Sequence, residues 1–122
     1  MATFTIGEKE HELKLTYAGV KKLNGILEGG SFELIGKAMM GDLDTFPHII
    51  QAALLHTGEN YTIAHVEGAI DDAIAAETLD MNGVLKLSNE VITQSFFYKA
   101  TVAKLMAKDK SAKKMLDELL KD

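Results

Sequence analysis

The four histidines and the acidic residues are the side chains of this sequence best suited to bind a metal or move a proton. His48 and His56 are eight residues apart, about two helical turns, which is too far for one zinc ion to bind both. Asp71 and Asp72 are adjacent, and adjacent residues of a helix point about 100° apart, so they do not make an acid–base pair. We therefore expect solvated side chains rather than a metal site.

Other motifs that carry chemistry are absent from the sequence. There is no cysteine, which excludes a thiolate nucleophile, a thiolate metal site and a disulfide framework. No serine has a GxSxG context, and the glycines form neither a GxGxxG motif nor a Walker loop. The sequence predicts a protein that is not an enzyme and that has no catalytic residue, no cofactor and no metal ion.

Charge argues against nucleic acid as a partner. The chain of 122 residues has a net charge of -5, and all 13 of its basic residues are lysines. Arginine is the usual residue for reading phosphates and base edges. Seven acids and one lysine lie between Glu59 and Glu90, whereas seven lysines and four acids lie between Lys99 and Asp122. Two solvated helix faces explain this pattern, and so would attraction between the acidic middle of one copy and the basic tail of another.

The sequence also argues against a membrane partner. No apolar run approaches the roughly 18 residues that a membrane span needs. Residues 1–9 alternate in character and lack the basic start and apolar middle of a signal peptide. Together with the missing cysteines, this predicts a protein of the cytoplasm.

Alternating apolar and polar residues predict a β-hairpin over 2–16. Phe4 and Ile6 alternate with threonines, Gly7-Glu8-Lys9 supplies a turn, and the second strand is expected to reach Leu15. Two strands alone are marginal in water, so the hairpin must lie against helices or against another copy.

Helical periodicity dominates the rest of the chain. It predicts one domain of the α+β class, mostly α, with the hairpin followed by a bundle of about five or six helices over 17–108. Asp80 to Lys108 is expected to form one long helix of about 40 Å. A C-terminal helix over 110–121 is expected to be able to detach. Thr62 is a predicted N-cap, and the helix that it starts is expected to turn Val66, Ile70 and Ile74 inward.

Apolar side chains that the helices cannot all bury are the candidate binding surface. The run Phe96-Phe97-Tyr98 exceeds one helix face, and methionine suits surfaces that grip varied apolar partners. Met39, Met81 and Phe96 are expected to fill the core. The predicted partner-binding residues are Met40, Phe97, Tyr98, Met106, Met115, Leu116, Leu119 and Leu120.

Two stretches of the sequence resemble a known family. Residues 4–17, FTIGEKEHELKLTY, are similar to the start I-x-G-K-E-Y-E-L-K-F-T-F of the tail assembly chaperones of long-tailed phages and prophages of Gram-positive bacteria. Residues 61–67, YTIAHVE, with Ile70-Asp71, are similar to that family's L-T-x-E-x-V-x-x-L-I-D helix start. Ala64-His65 stands where an acid is usual, which is expected to weaken a capping box at Thr62.

The resemblance implies a function that composition does not reveal. Such chaperones bind the tape measure protein, a very long helical chain, and keep it soluble until the tail tube polymerises around it. They self-associate in the cytoplasm of the bacterial host, and a longer frameshifted form carries an extra domain that recruits tail tube subunits. The matching positions imply packing roles, not catalytic ones.

Two alternatives to the chaperone interpretation stay open at this point. A head–tail connector or adaptor subunit would also be small and helical, but it would remain in the finished particle. A small transcriptional regulator would need a basic recognition helix, and the lysine-rich tail is the only basic stretch.

Overall fold

A computed structural model describes residues 2–108, Lys114 and Glu118. In that part of the chain a two-stranded hairpin precedes six α-helices, which confirms the predicted α+β, mostly α class. The predicted helix over 110–121 lies outside the described residues, apart from the two isolated positions. The elements are β1 (Thr3–Ile6), β2 (Lys9–Glu12), α1 (Tyr17–Ile26), α2 (Gly30–Met40), α3 (Phe46–Ala53), a single 3-10 turn (Leu55–Thr57), α4 (Ile63–Ala75), α5 (Met81–Val91) and α6 (Phe96–Lys108).

The hairpin is shorter than its sequence pattern predicts. β1 and β2 pair antiparallel from Thr3 opposite Glu12 to Ile6 opposite Lys9, and the turn between them contains Gly7 at a φ of 65°. The second strand ends at Glu12 rather than at Leu15. Beyond it, the backbone N–H of Leu13 still donates to the carbonyl of Ala2 at 2.9 Å, whereas that of Lys14 donates to the carbonyl of Ala53, at the end of α3, at 3.0 Å.

Side chains from the hairpin and from all six helices form the core, and α1, α2 and α3 contribute many of them. Fully or almost fully buried side chains come from all three helices, and each contributes on the order of 1.5–3 kcal/mol through burial. Gly19 lets α1 approach the backbone of α3 closely, because a Cβ there would lie 2.8 Å from the carbonyl oxygen of Ala52. The main buried residues of these helices are Leu23, Leu34, Ile35, Phe46, Ile49 and Ile50.

The start of α4 carries a capping box that the sequence underestimates. The N–H of His65 donates to the Thr62 hydroxyl, and the N–H of Thr62 donates to Nδ1 of His65, both at 3.1 Å. Histidine thus takes the role that an acid usually has, because an unprotonated ring nitrogen accepts a hydrogen bond as a carboxylate does. The prediction that His65 weakens this cap is wrong.

The long helix predicted from Asp80 to Lys108 is two helices. α5 ends at Val91, and α6 begins at Phe96 after a turn. The Thr93 hydroxyl donates to the Asn89 carbonyl at 2.9 Å, and the Ser95 hydroxyl accepts from the N–H of Tyr98 at 3.4 Å. Side chains that compete for backbone groups therefore end one helix and cap the next without a glycine or proline.

Candidate partner-binding surface

Side chains that could carry chemistry are dispersed in the fold. Across residues 2–108, no three His, Asp or Glu residues come close enough to hold a metal ion. Asp71 and Asp72 are both exposed and line different depressions, as expected for adjacent helical positions. No helix in the described part of the chain is long and apolar enough to cross a membrane.

Three of the four histidines make structural contacts, and that of His65 is the cap of α4. His11 is buried, which the sequence does not predict, and its Nε2 is 2.7 Å from the hydroxyl of Tyr61. His56 is exposed, and its Nε2 donates to the Glu12 carbonyl at 2.7 Å. These contacts join the hairpin to the segment between α3 and α4. In the same region, the hydrogen bond and charge of Lys9 hold the pKa of Glu59 below its usual range.

The predicted partner-binding residues divide between the surface and the core. Met40 is 74% exposed and Phe97 is 59% exposed, so both can contact another molecule. Tyr98 is 1% exposed and Met106 is also buried, so neither can contact a partner directly. Their helical spacing places them on the inner face of α6. Met115, Leu116, Leu119 and Leu120 lie outside the described residues.

Phe97 is held against this buried layer. Its ring meets the ring of Tyr98 edge to face, with centroids 5.1 Å apart. Burial raises the pKa of the Tyr98 hydroxyl, which makes no hydrogen bond with the described residues. Tyr98 thus belongs to the core, whereas Phe97 next to it is exposed.

Three residues assigned to the core from sequence are exposed. Phe96 is 96% exposed, Ile74 is 55% exposed and Met81 is also exposed. Phe96 is the first residue of α6 and lies opposite its buried face, because α6 is a separate helix with its own orientation. Ile74 lies near the end of α4, beyond the contact that buries Val66 and Ala69.

An apolar groove of about 420 Å³ lies between α3, α4 and α5 and the loop before α3. Phe46 and Val84 at its base are buried, whereas Leu43 and Ile74 at its rim are exposed. We call this the α4 groove. It is lined by Leu43, Phe46, Pro47, Glu67, Ile70, Asp71, Ile74 and Val84. The sequence singled out none of these residues as partner-binding, although an apolar Leu43 between Asp42 and Asp44 could have indicated an exposed position.

One wall of the α4 groove is acidic. Glu67 and Asp71 are one helical turn apart on α4, both are exposed, and none of the described lysines lines the groove. Neither carboxylate has an ion-pair partner among the described residues. The groove therefore combines an apolar base with two uncompensated negative charges.

Asp42 fixes the loop that supplies the rim residue Leu43. Its carboxylate accepts from the hydroxyl of Thr45 at 2.6 Å and from the N–H of Thr45 at 3.0 Å. The Thr45 hydroxyl bond is the main cause that holds the pKa of Asp42 below its usual range, and Lys37 adds to it.

Comparison with known protein families gave a match over most of the chain. A sequence model described as phage tail assembly chaperone protein, TAC, matches residues 3–107. This match covers the hairpin and nearly all of α1 to α6. No curated protein and no solved structure gave a match.

Proposed function

The chain belongs to the phage tail assembly chaperone family, and on that premise we propose that it binds helical segments of the tape measure protein. Binding would keep that protein soluble during tail assembly. The observation that carries the proposal is the α4 groove, an open apolar depression beside exposed apolar residues on a protein of chaperone ancestry. A long helical protein exposes apolar stripes before it is assembled, and uncovered stripes aggregate.

The groove accounts for both attraction and solubility. Leu43, Ile70 and Ile74 would receive apolar side chains of the client helix, while Glu67 and Asp71 would stay hydrated or pair with basic residues beside its stripe. The net charge of -5 would repel one loaded complex from another. Covering an apolar stripe with a charged protein therefore supplies the solubility that the client lacks.

Further contacts are proposed at the apolar residues that the sequence singles out as partner-binding. Met40 ends α2 immediately before Gly41, which lies against Met81 and Leu85. We infer that Met40 extends the client contact, and that Met115, Leu116, Leu119 and Leu120 add to it. Phe97, which is exposed, would add to the same contact. The protein is proposed to act as a homo-oligomer in the host cytoplasm, without catalysis. A longer frameshifted form would recruit tail tube subunits.

The family match favours an assembly factor over a connector or adaptor subunit that stays in the particle. Mass spectrometry of purified virions separates the two roles. We expect peptides of this protein to be absent from particles whose tape measure protein is readily detected. A stoichiometric amount in the particle would contradict the chaperone role.

Co-expression with the tape measure protein tests the proposal directly. We expect the wild-type chain to shift the client from the insoluble to the soluble fraction of a lysate. Ile74→Asp places a charge in the α4 groove and should return the client to the pellet. Ile26→Asp makes the same change at an exposed position of α1, outside the groove, and should leave the client soluble. A client that stays insoluble with the wild-type chain would contradict the proposal.

A further inference from the structure

The outer face of α6 carries an apolar stripe. Phe96, Ala100, Ala103 and Ala107 follow one another at steps of four, three and four residues, and all four are exposed. This spacing places them in one line along the helix, opposite the buried Tyr98. A surface helix packs on the core through one apolar face, so a second apolar line on the opposite face is not needed for folding.

Basic residues flank this stripe on both sides. At 100° per residue, Lys99 lies on one side of it and Lys104 on the other, and both side chains are exposed. No acid occurs between Glu90 and Asp109, so the whole of α6 is positive. Neither Lys99 nor Lys104 has an ion-pair partner among the described residues.

The α4 groove has the complementary character. Its base is apolar, its wall carries Glu67 and Asp71, and no lysine of the described part of the chain lines it. The alanines of α6 would let the helix backbone approach the groove closely, and Phe96 would supply one large side chain. Lys99 or Lys104 would then lie near the two carboxylates, a pairing that fixes orientation more than it adds affinity.

We propose that α6 of a second copy occupies the α4 groove when no client is bound. The inference rests on the proposed function in one respect, since this contact between copies would block the groove that is proposed to bind the client. The occupant must come from another copy, because Tyr98, Val102 and Met106 hold α6 on its own core and turn the stripe away. The client helix then replaces α6, and self-association shields Phe96 and the groove until that exchange.

The contact joins two different surfaces of the chain. Such a contact either closes into a ring, extends into a filament, or is made twice in a two-fold dimer by reciprocal exchange. In each of these arrangements, every occupied groove binds one α6 helix. Disrupting either surface should therefore have the same effect on the assembly.

Charge reversal on each surface tests the assignment, with mass measured by light scattering or sedimentation of the protein alone. We expect the wild-type chain to be larger than its 13.3 kDa monomer. Glu67→Lys with Asp71→Lys, and separately Lys99→Glu with Lys104→Glu, should each weaken self-association by roughly 100-fold, because like charges then meet. Glu8→Lys with Asp72→Lys changes the net charge as much as Glu67→Lys with Asp71→Lys does, but away from the groove, and it should leave the oligomer intact.

Mixing the two reversed variants gives the decisive result. The lysine-bearing groove should accept the glutamate-bearing α6, and the unchanged groove should accept the unchanged α6. Two monomeric preparations should therefore form a mixed oligomer in a 1:1 ratio that about 1 M salt, with a Debye length of about 3 Å, weakens. Recovery of the mixed oligomer also shows that both variants are folded. Three results would overturn the inference: a monomeric wild type, an oligomer unaffected by either reversal, or no complex on mixing. A monomeric wild type that still solubilises the client would overturn it while leaving the proposed function standing.

Discussion

The side-chain amide of Asn89 donates a hydrogen bond to the backbone carbonyl of Ala38, which is 3.2 Å away and 51 positions earlier in the chain. The same amide donates to the carbonyl of Leu85 at 2.7 Å. Asn89 is fully buried, so these bonds fix the end of α2 against α5. The loop that follows α2 therefore places Leu43 in one groove with Val84.

Asn89→Leu should destabilise the fold by about 1–3 kcal/mol, because it removes a buried amide and leaves backbone carbonyls short of donors. Urea denaturation followed by circular dichroism measures the change. Asn82→Leu is the matched control on the same helix, where the side chain is exposed, and it should change stability by less than about 0.5 kcal/mol. Equal losses in the two variants would show that Asn89 does not join the helices.

Two glycines of α2 and its C-cap should respond in opposite directions to alanine. Gly41 has a φ of 67°, and a Cβ there would lie 2.6 Å from the Met81 Cε and 2.7 Å from a Leu85 methyl carbon. Gly41→Ala should therefore cost about 1–3 kcal/mol. Gly36 has open space around it, and Gly36→Ala should stabilise the helix by about 0.5–1 kcal/mol. Thermal unfolding of both variants measures the difference, and a stabilised Gly41→Ala would contradict the close packing of α2 on α5.

Acid should weaken the loop before α3. Because the folded-state pKa of Asp42 is lowered by the Thr45 hydroxyl, its contribution is present above the ordinary value of 3.8 and is lost as pH falls through the folded-state pKa. Asp42→Asn removes this ionisable group, so the free energy of unfolding should fall less steeply with pH in that acid range. Asp44→Asn, at a neighbouring position without these hydrogen bonds, is the control for the loss of one negative charge. If the free energy of unfolding of the wild-type and Asp42→Asn proteins falls equally with pH, Asp42 is not the group that stabilises this loop.

The class of fold could be predicted from sequence because its signals are local. The alternation around Phe4 and Ile6 predicts the hairpin, and helical periodicity predicts the bundle, with Thr62 as the N-cap of α4. The break after Val91 could not be predicted this way, because Thr93 and Ser95 compete for backbone groups without a glycine or proline.

The candidate surface was predicted only in part. Met40 and Phe97 are exposed as expected, but Tyr98 is buried and Ile74 is exposed. Periodicity shows which residues share a helix face but not which neighbouring helix covers that face. The α4 groove is formed by residues from α3, α4, α5 and a loop, so its existence depends on tertiary contacts such as that of Asn89 with Ala38.

Phe96 should matter for association and hardly at all for folding. Phe96→Ala removes a side chain that is almost entirely exposed, so stability should change by less than about 0.5 kcal/mol. Self-association should weaken by roughly tenfold or more if the ring enters the groove of a second copy. Tyr17→Ala is the control, since Tyr17 is an exposed aromatic residue of α1. Dilution series by sedimentation measure both, and identical dissociation constants would remove Phe96 from the contact.

Site-specific photocrosslinking in the chaperone–client complex tests the central claim most directly. A photoreactive amino acid in place of Leu43 lies at the rim of the α4 groove, and one in place of Ile26 lies on α1 as a control. We predict that irradiation joins position 43, but not position 26, to the tape measure protein, at peptides with a helical apolar repeat. A soluble complex that crosslinks at position 26 and never at position 43 would contradict the account.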